Sequence, residues 1–320
     1  MPLDSQNMLG VLKNFPIQCR NAMDLAKGMS FSGMKRILVI GMGGSAIGGD
    51  LLKAYMASSS VPVDVVRDYS IPGYVDKETL VFAVSYSGNT EETLSAVQQA
   101  KAKKAKIVGI TSGGELPQYC DTVLTITKGY QPRAALGYLF FPMLGIAHNS
   151  GMVRIKNEEL NELLTILKNP DVFEAAAEAI VKKIKGKIPL VYASQKFAPV
   201  AFRWKTQINE NAKWPAFTAA FSEMNHNELV SFKHLPKEFV AIFIQDSDDH
   251  PQIKKRMDYC REILEHRVDV VDVHMKGTYM LSKMFTTIYI GDFVSYYLAL
   301  WHREDPTPVE VIEKLKKKLK

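Results

Sequence analysis

Three hydroxyl side chains occur within six residues in the stretch Ser85-Tyr-Ser-Gly-Asn-Thr90. An apolar run over residues 81–84 precedes them and a helical pattern begins at Glu91, so Ser85, Ser87 and Thr90 are predicted to lie in a tight turn at a helix N-terminus. Unpaired backbone N–H groups and the helix macrodipole favour an anion there. No Walker lysine motif is present, which favours a terminal phosphomonoester over a nucleotide. The alternative is that Ser87 and Thr90 only cap the helix, but caps would explain one or two hydroxyls, not three.

A second candidate turn, Gly41-Met-Gly-Gly-Ser45, follows the first predicted strand. Its glycines resemble a dinucleotide fingerprint, and Asp68 follows the next strand where such a fold would hold a ribose. Ser45, however, adds a hydroxyl to the turn, and the hydroxyl turn at Ser85 follows a neighbouring strand. We therefore expect both turns, including Gly44, to close on one small phosphate ligand.

Strand and helix patterns alternate along the chain, which predicts βαβ crossovers and parallel sheets covered by helices on both faces. The predicted fold class is α/β, with two similar doubly wound parallel-sheet subdomains over residues 1–152 and 153–320. The second half has Ser194-Gln-Lys196 where the first half has its glycine-rich turn. It is therefore expected to contribute chemistry rather than a phosphate site.

Three further side chains are candidates for that chemistry. Arg133 ends a polar loop at the carboxyl edge of the first sheet, where it could contact a phosphate or polarise a reacting oxygen. Glu210 lies between two asparagines near a helix end, is expected at the carboxyl edge of the second sheet, and is a candidate general base. His226 lies in a polar loop after a strand and is a candidate acid or base near neutral pH. Each has the simpler interpretation of a surface residue.

The composition narrows the class of protein. The chain has 320 residues, of which 47% are hydrophobic and 23% charged, with a formal charge of +6. Three widely spaced cysteines and the lack of a secretion or membrane-spanning pattern predict a cytoplasmic protein. Much of the positive charge lies in residues 314–320, where Leu315 and Leu319 predict a helix packed through its apolar face rather than a nucleic-acid or membrane contact. No metal-ligand spacing occurs, so no metal or other cofactor is expected.

Taken together, the motifs resemble a known family. The two serine turns, the helix Thr206–Asn211, the loop Glu223–Glu228 and the terminal Asp305-Pro-Thr-Pro segment are similar, in order, to the archaeal-type bifunctional phosphoglucose/phosphomannose isomerases. That family belongs to the phosphoglucose isomerase superfamily and has two sugar-isomerase (SIS) domains. The resemblance covers nearly the whole chain. It implies interconversion of glucose 6-phosphate or mannose 6-phosphate with fructose 6-phosphate through a cis-enediol, without a metal.

The resemblance also implies roles for individual residues. The phosphate would be held by Gly44, Ser45, Ser85, Ser87 and Thr90. Glu210 would move the proton between C1 and C2, while Arg133 would stabilise the enediolate. His226, supplied by the other subunit of a homodimer, would assist ring opening. A lysine of the C-terminal helix, which completes the site, would act at the ring oxygen or O1; Lys316 is assigned, with Lys314 in the neighbouring register. Thr307 would permit mannose 6-phosphate.

A SIS-type regulatory protein that binds a sugar phosphate without catalysis is the alternative. Such proteins keep the serine turns but need no base, so Glu210 would have no role, and they often carry a DNA-binding module that the roughly 30 residues before the first strand are too short to form. Glutamine-dependent glucosamine 6-phosphate synthesis would require an amidotransferase domain that is not seen in the sequence.

Overall fold

The computed structural model describes residues 3–319, which form two compact units. One unit is Asn14–Leu164. The other combines the described residues through Lys13, including the short helix α1 (Met8–Lys13), with those from Thr165 onward. The division of the chain into domains of residues 1–152 and 153–320 stays a prediction.

The Asn14–Leu164 unit is built on a five-stranded parallel sheet. Its elements are α2 (Phe15–Asp24), β1 (Arg36–Ile40), α3 (Gly43–Tyr55), β2 (Val63–Val66), β3 (Thr79–Val84), α4 (Glu91–Ala102), β4 (Lys106–Thr111), β5 (Thr122–Thr125), α5 (Leu136–Asn149) and α6 (Asn157–Leu167), which crosses into the other unit. The strand order is β2-β1-β3-β4-β5. The central strand β3 is buried along its whole length, as expected of a parallel strand covered on both faces.

The strand order creates a switch point between β1 and β3. From β1 the chain crosses outward to β2, whereas from β3 it crosses in the opposite direction to β4, so right-handed crossovers put α3 and α4 on opposite faces. Ile40, at the end of β1, pairs with Ala83 near the end of β3. The turns that follow these two strands therefore open at one edge, in the crevice where ligands of open α/β sheets bind.

The second unit contains a four-stranded parallel sheet of order β7-β6-β8-β9. Its elements after α6 are α7 (Pro170–Ile184), β6 (Ile188–Ser194), α8 (Ala198–Asn211), β7 (Phe217–Phe221), β8 (Phe239–Gln245), α9 (Pro251–Glu265), β9 (Asp269–His274), α10 (Met280–Trp301) and α11 (Glu310–Lys318). The predicted α/β class with two parallel-sheet subdomains and a C-terminal helix is confirmed.

Helix α10 forms the centre of the second unit's helical layer. It is 22 residues long, is buried on nearly all sides and packs against α7 and α8. Gly291 permits the close approach to α8, because a Cβ there would lie 2.3 Å from Nε1 of Trp204. Among residues 3–319, no helix combines the length and apolarity needed to cross a bilayer.

Candidate active site

The structure brings the two predicted hydroxyl turns together at the switch point. Ser45 lies in the first turn of α3, and the Ser85–Thr90 turn leads into α4. The backbone N–H of Tyr86 donates to Ser45 Oγ at 3.4 Å, and the hydroxyls of Ser85 and Thr90 are 2.9 Å apart. Two helix N-termini and their hydroxyls thus share one crevice, which suits a phosphate.

The Thr90 side chain does not act as a helix cap. Thr90 occupies the N-cap position of α4 with extended backbone, but its side chain makes no capping hydrogen bond and contacts Ser85 instead. Ser85 Oγ also accepts from the Gly88 backbone N–H at 3.1 Å. Ser87 is exposed and accepts from the Asn89 backbone N–H at 3.3 Å. The capping interpretation therefore fails for Thr90, and the first N–H groups of α4 have no cap from it.

Gly44 and Arg133, assigned to different roles, are direct neighbours. Arg133 lies in the short 3₁₀ turn Pro132–Ala134 and is only 3% exposed. A Cβ on Gly44 would lie 2.9 Å from both N and Cα of Arg133. The glycine is needed so that the start of α3 and this turn can touch, which fixes Arg133 beside the serine turns.

Glu210 lies in the last turn of α8, and both neighbouring asparagines anchor that turn. Asn209 Nδ2 donates to the Trp214 carbonyl at 2.8 Å, and Asn211 Nδ2 donates to Ser295 Oγ on α10 at 2.9 Å. Between α8 and α10, Arg203 also forms a buried ion pair with Asp292 at 2.7 Å. These contacts fix the rotation of α8 and hence the position of Glu210.

Glu210 lines a cavity of about 730 Å³ within the second unit. The opposite wall comes from the segment between α10 and α11 and from the first residues of α11; the lining residues are Asn209, Glu210, Lys213, Trp214, Pro215, Glu304, Asp305, Pro308, Val309, Glu310, Val311 and Ile312. Lys213 Nζ donates to the Asp305 carbonyl at 2.5 Å, which ties the C-terminal segment to the end of α8. This volume accommodates a small polar ligand.

Thr307 lies in this C-terminal segment, whereas the two candidate lysines lie further along. Thr307 is 2% exposed and its backbone N–H donates to Asp305 Oδ1 at 3.0 Å. Lys314 and Lys316 are on α11 and are exposed, and Lys314 pairs with Glu310 at 3.7 Å. The lysine register therefore stays open. Among residues 3–319, no three His, Cys, Asp or Glu side chains are grouped to hold a metal ion.

Family models match both halves of the chain. Residues 30–141 match the SIS domain, and residues 173–319 match the bacterial phospho-glucose isomerase C-terminal SIS domain. A bifunctional phosphoglucose/phosphomannose isomerase from Caldicellulosiruptor bescii is 42% identical, over 96% of this chain and 97% of that protein. The chain belongs to the bifunctional phosphoglucose/phosphomannose isomerase family.

The chain is also similar to two proteins that have other names than this isomerase family. A D-glucosamine-6-phosphate 4-epimerase from Sulfolobus acidocaldarius is 37% identical over 66% of this chain and 68% of that protein. The C-terminal domain of glucosamine-fructose-6-phosphate aminotransferase from Francisella tularensis has a TM-score of 0.72 at 16% identity, covering 93% of this chain and 97% of that one. The latter similarity concerns the fold alone.

The prediction that Glu210 lies at the carboxyl edge of the second sheet is wrong. Because β6 and β7 are parallel, α8 must return from the carboxyl end of β6 to the amino end of β7. Glu210, in its last turn, lies at the amino edge. His226 follows the carboxyl end of β7 in the 3₁₀ turn Glu223–His226 and is exposed. The two side chains therefore lie at opposite ends of a five-residue strand, roughly 15 Å long.

The packing predicted for the C-terminal helix is not found within the described chain. Helix α11 has no buried residue, and Leu315 and Leu319 are 55% and 65% exposed. Its apolar face is thus open along the described chain. The leucine spacing identified the helix but not its environment.

Tyr86 connects the two serine turns, although no sequence motif marks it as a functional residue. Its carbonyl accepts from the backbone N–H of Ser112 at 3.0 Å and from the Ser112 hydroxyl at 2.7 Å, beyond the end of β4. With its N–H on Ser45, Tyr86 joins the loops after β1, β3 and β4. The sequence signal that could have identified Tyr86 is its position between Ser85 and Ser87, which are both predicted to bind phosphate.

Proposed function

We propose that this protein is an aldose–ketose isomerase that interconverts glucose 6-phosphate and mannose 6-phosphate with fructose 6-phosphate. The observation that carries the proposal is family membership over nearly the whole chain, together with two serine turns at one switch point. Membership of an enzyme family favours catalysis over the non-catalytic regulatory alternative.

The phosphate of the substrate is held by the N-terminal domain, residues 1–152. Ser45, Ser85, Ser87 and Thr90 offer hydroxyls, and the starts of α3 and α4 offer backbone N–H groups. The absence of a capping contact from Thr90 supports this assignment, because a phosphate oxygen can take the place of a cap. Because Gly44 has no side chain, the start of α3 can approach the Arg133 backbone closely.

The proton transfer is carried out by the C-terminal domain, residues 153–320. Glu210 removes the proton from C2 of the open-chain aldose while the C1 carbonyl oxygen takes up a proton, which gives the enediol. Returning the carbon-bound proton to C1, while the O2 hydroxyl loses its proton and becomes the carbonyl, gives the ketose. Arg133 stabilises the negative charge of the enediolate, and Lys316, or Lys314 in the neighbouring register, acts at the ring oxygen or O1. No metal or other cofactor enters this reaction.

The enzyme works as a homodimer in which His226 assists ring opening in the partner subunit's site. The positions of Glu210 and His226 support this arrangement, because in one chain they lie at opposite ends of β7, a strand roughly 15 Å long. Exposure of His226 is consistent with a position in an interface.

We assign dual specificity to Thr307, a small buried residue between Asp305 and Pro308, which both line the Glu210 cavity. We also assign the enzyme to the cytoplasm, because Cys19, Cys120 and Cys260 are all free thiols, as in reducing compartments.

A coupled assay on purified protein with EDTA present tests the proposal. Glucose 6-phosphate formed from fructose 6-phosphate and fructose 6-phosphate formed from mannose 6-phosphate are followed separately, with glucosamine 6-phosphate as a third substrate. Conversion of both hexose phosphates supports the bifunctional isomerase, and conversion of glucose 6-phosphate alone removes the role of Thr307. Turnover of glucosamine 6-phosphate alone would replace the proposal by epimerisation. Binding without turnover would favour the regulatory alternative.

A further inference from the structure

The hydroxyl of Tyr86 joins the serine turns to the loop that carries Arg133. The hydroxyl donates to the Thr127 carbonyl at 2.8 Å and accepts from the Tyr130 backbone N–H at 2.8 Å. Both partners belong to the connection between β5 and α5, more than 40 residues along the chain. The Tyr86 ring is 8% exposed, and burial raises the pKa of the hydroxyl, so it keeps its proton at neutral pH.

The two hydrogen bonds of the Tyr86 hydroxyl hold the loop close to Arg133. Tyr130 is three residues before Arg133, and Pro132 between them restricts the backbone. After Arg133, the Ala134 carbonyl accepts from Gln18 Nε2 at 3.0 Å, and Gln18 Oε1 accepts from the Gly137 N–H at 2.6 Å. The loop is thus fixed before Arg133 by Tyr86 and after it by Gln18.

We propose that Tyr86 is a positioning residue whose hydroxyl sets the place of Arg133 relative to the phosphate-binding serines. The same residue contacts Ser45 through its backbone N–H, so one side chain and its own backbone connect both parts of the site. This inference rests on the proposed function, in which Arg133 stabilises the enediolate. Arg133 then acts mainly on the transition state, so a misplaced loop lowers kcat more than it raises KM.

The test compares Tyr86→Phe with Tyr289→Phe. Tyr289 is an equally suitable buried tyrosine whose hydroxyl donates to a backbone carbonyl, that of Leu12, at 2.8 Å in the other unit. Tyr86→Phe is expected to lower kcat about 10- to 100-fold with KM for fructose 6-phosphate within about threefold. Tyr289→Phe is expected to leave both constants within about twofold, although it removes a similar buried hydrogen bond.

Two further measurements separate positioning from a general loss of structure. In an Arg133→Lys background, Tyr86→Phe should lower kcat by less than about threefold, since residues that act through each other are not additive. Hydrogen exchange of the Tyr130 amide should accelerate in Tyr86→Phe and not in Tyr289→Phe, because only the former removes its acceptor.

The inference is overturned if Tyr86→Phe lowers kcat no more than Tyr289→Phe, if KM rises with kcat unchanged, or if its effect multiplies fully with that of Arg133→Lys. A wild-type enzyme that converts no hexose phosphate would instead overturn the proposed function and the inference with it. The wild-type assay therefore distinguishes the two failures.

Discussion

Gly44 and Arg133 are so close that position 44 has no room for a side chain: a Cβ on Gly44 would be 2.9 Å from the backbone of Arg133. Gly44→Ala must shift either the start of α3 or the Pro132–Ala134 turn. We expect this change to lower kcat/KM at least about tenfold and to destabilise the fold by about 1–3 kcal/mol. Kinetics and urea denaturation measure the two effects. Gly73→Ala is the control, because a Cβ there has nothing within 4 Å; equal effects of both changes would contradict the close-contact account.

Ser87 should contribute to substrate binding more than to turnover. Its exposed hydroxyl lies between Ser85 and the start of α4 and is available to a phosphate. Because a hydrogen bond to a charged group is worth about 1.5–3 kcal/mol, Ser87→Ala should raise KM roughly tenfold or more while kcat changes little. Ser95→Ala, on α4 with its hydroxyl on the Tyr69 carbonyl, is the control. An unchanged KM in Ser87→Ala would remove Ser87 from the phosphate site.

The sharing of His226 across a dimer predicts complementation between inactive variants. Glu210→Gln and His226→Ala subunits are mixed and reassociated. Half of the dimers are then mixed, and each has one site with an intact Glu210 and an intact partner His226, so activity should recover to about one quarter of wild type. Activity that stays at the level of the separate variants would show that His226 acts within its own chain or not at all.

Stability should decrease in mild acid through His302, which stacks on Trp214 in the wall of the Glu210 cavity with ring centroids 4.1 Å apart. Burial lowers the pKa of His302 below its ordinary value of 6.5. Below pH 6.5 the unfolded chain therefore binds a proton that the folded chain does not, and the free energy of unfolding falls as the pH falls toward the folded pKa. His302→Phe keeps an aromatic ring and removes the titration. Urea denaturation at pH 7.5 and 5.5 should show a smaller loss in the variant; an equal loss would exclude His302 as a source.

The parts of the site that follow from strand order were predictable from the sequence. Ser45 and Ser85 follow the buried runs of β1 and β3, and parallel strands that are neighbours in a sheet bring such turns to one edge. The edge predicted for Glu210 is wrong because a helix pattern does not itself show the direction in which α8 returns to β7. The separation of Glu210 from His226 follows from the direction and length of β7. Their spacing of sixteen residues in the sequence does not reveal it.

Two other features do not follow from the sequence pattern. The leucines of α11 have the spacing of a packed helix, yet no part of the described chain covers them. Tyr86 acts through a hydroxyl bonded to backbone atoms of Thr127 and Tyr130, and backbone partners place no constraint on residue type that a single sequence reveals. Both features arise only in the folded chain.

Glu210→Gln shows whether Glu210 transfers the proton. Glu304→Gln is the matched control, since Glu304 lines the same cavity and the same charge is removed. We measure kcat for fructose 6-phosphate isomerisation and the affinity for the sugar phosphate by calorimetry. Glu210→Gln should lower kcat by about 1,000-fold or more with Kd within about threefold, whereas Glu304→Gln should change kcat less than about threefold. Substantial turnover by Glu210→Gln, or an equal loss in Glu304→Gln, would contradict the account.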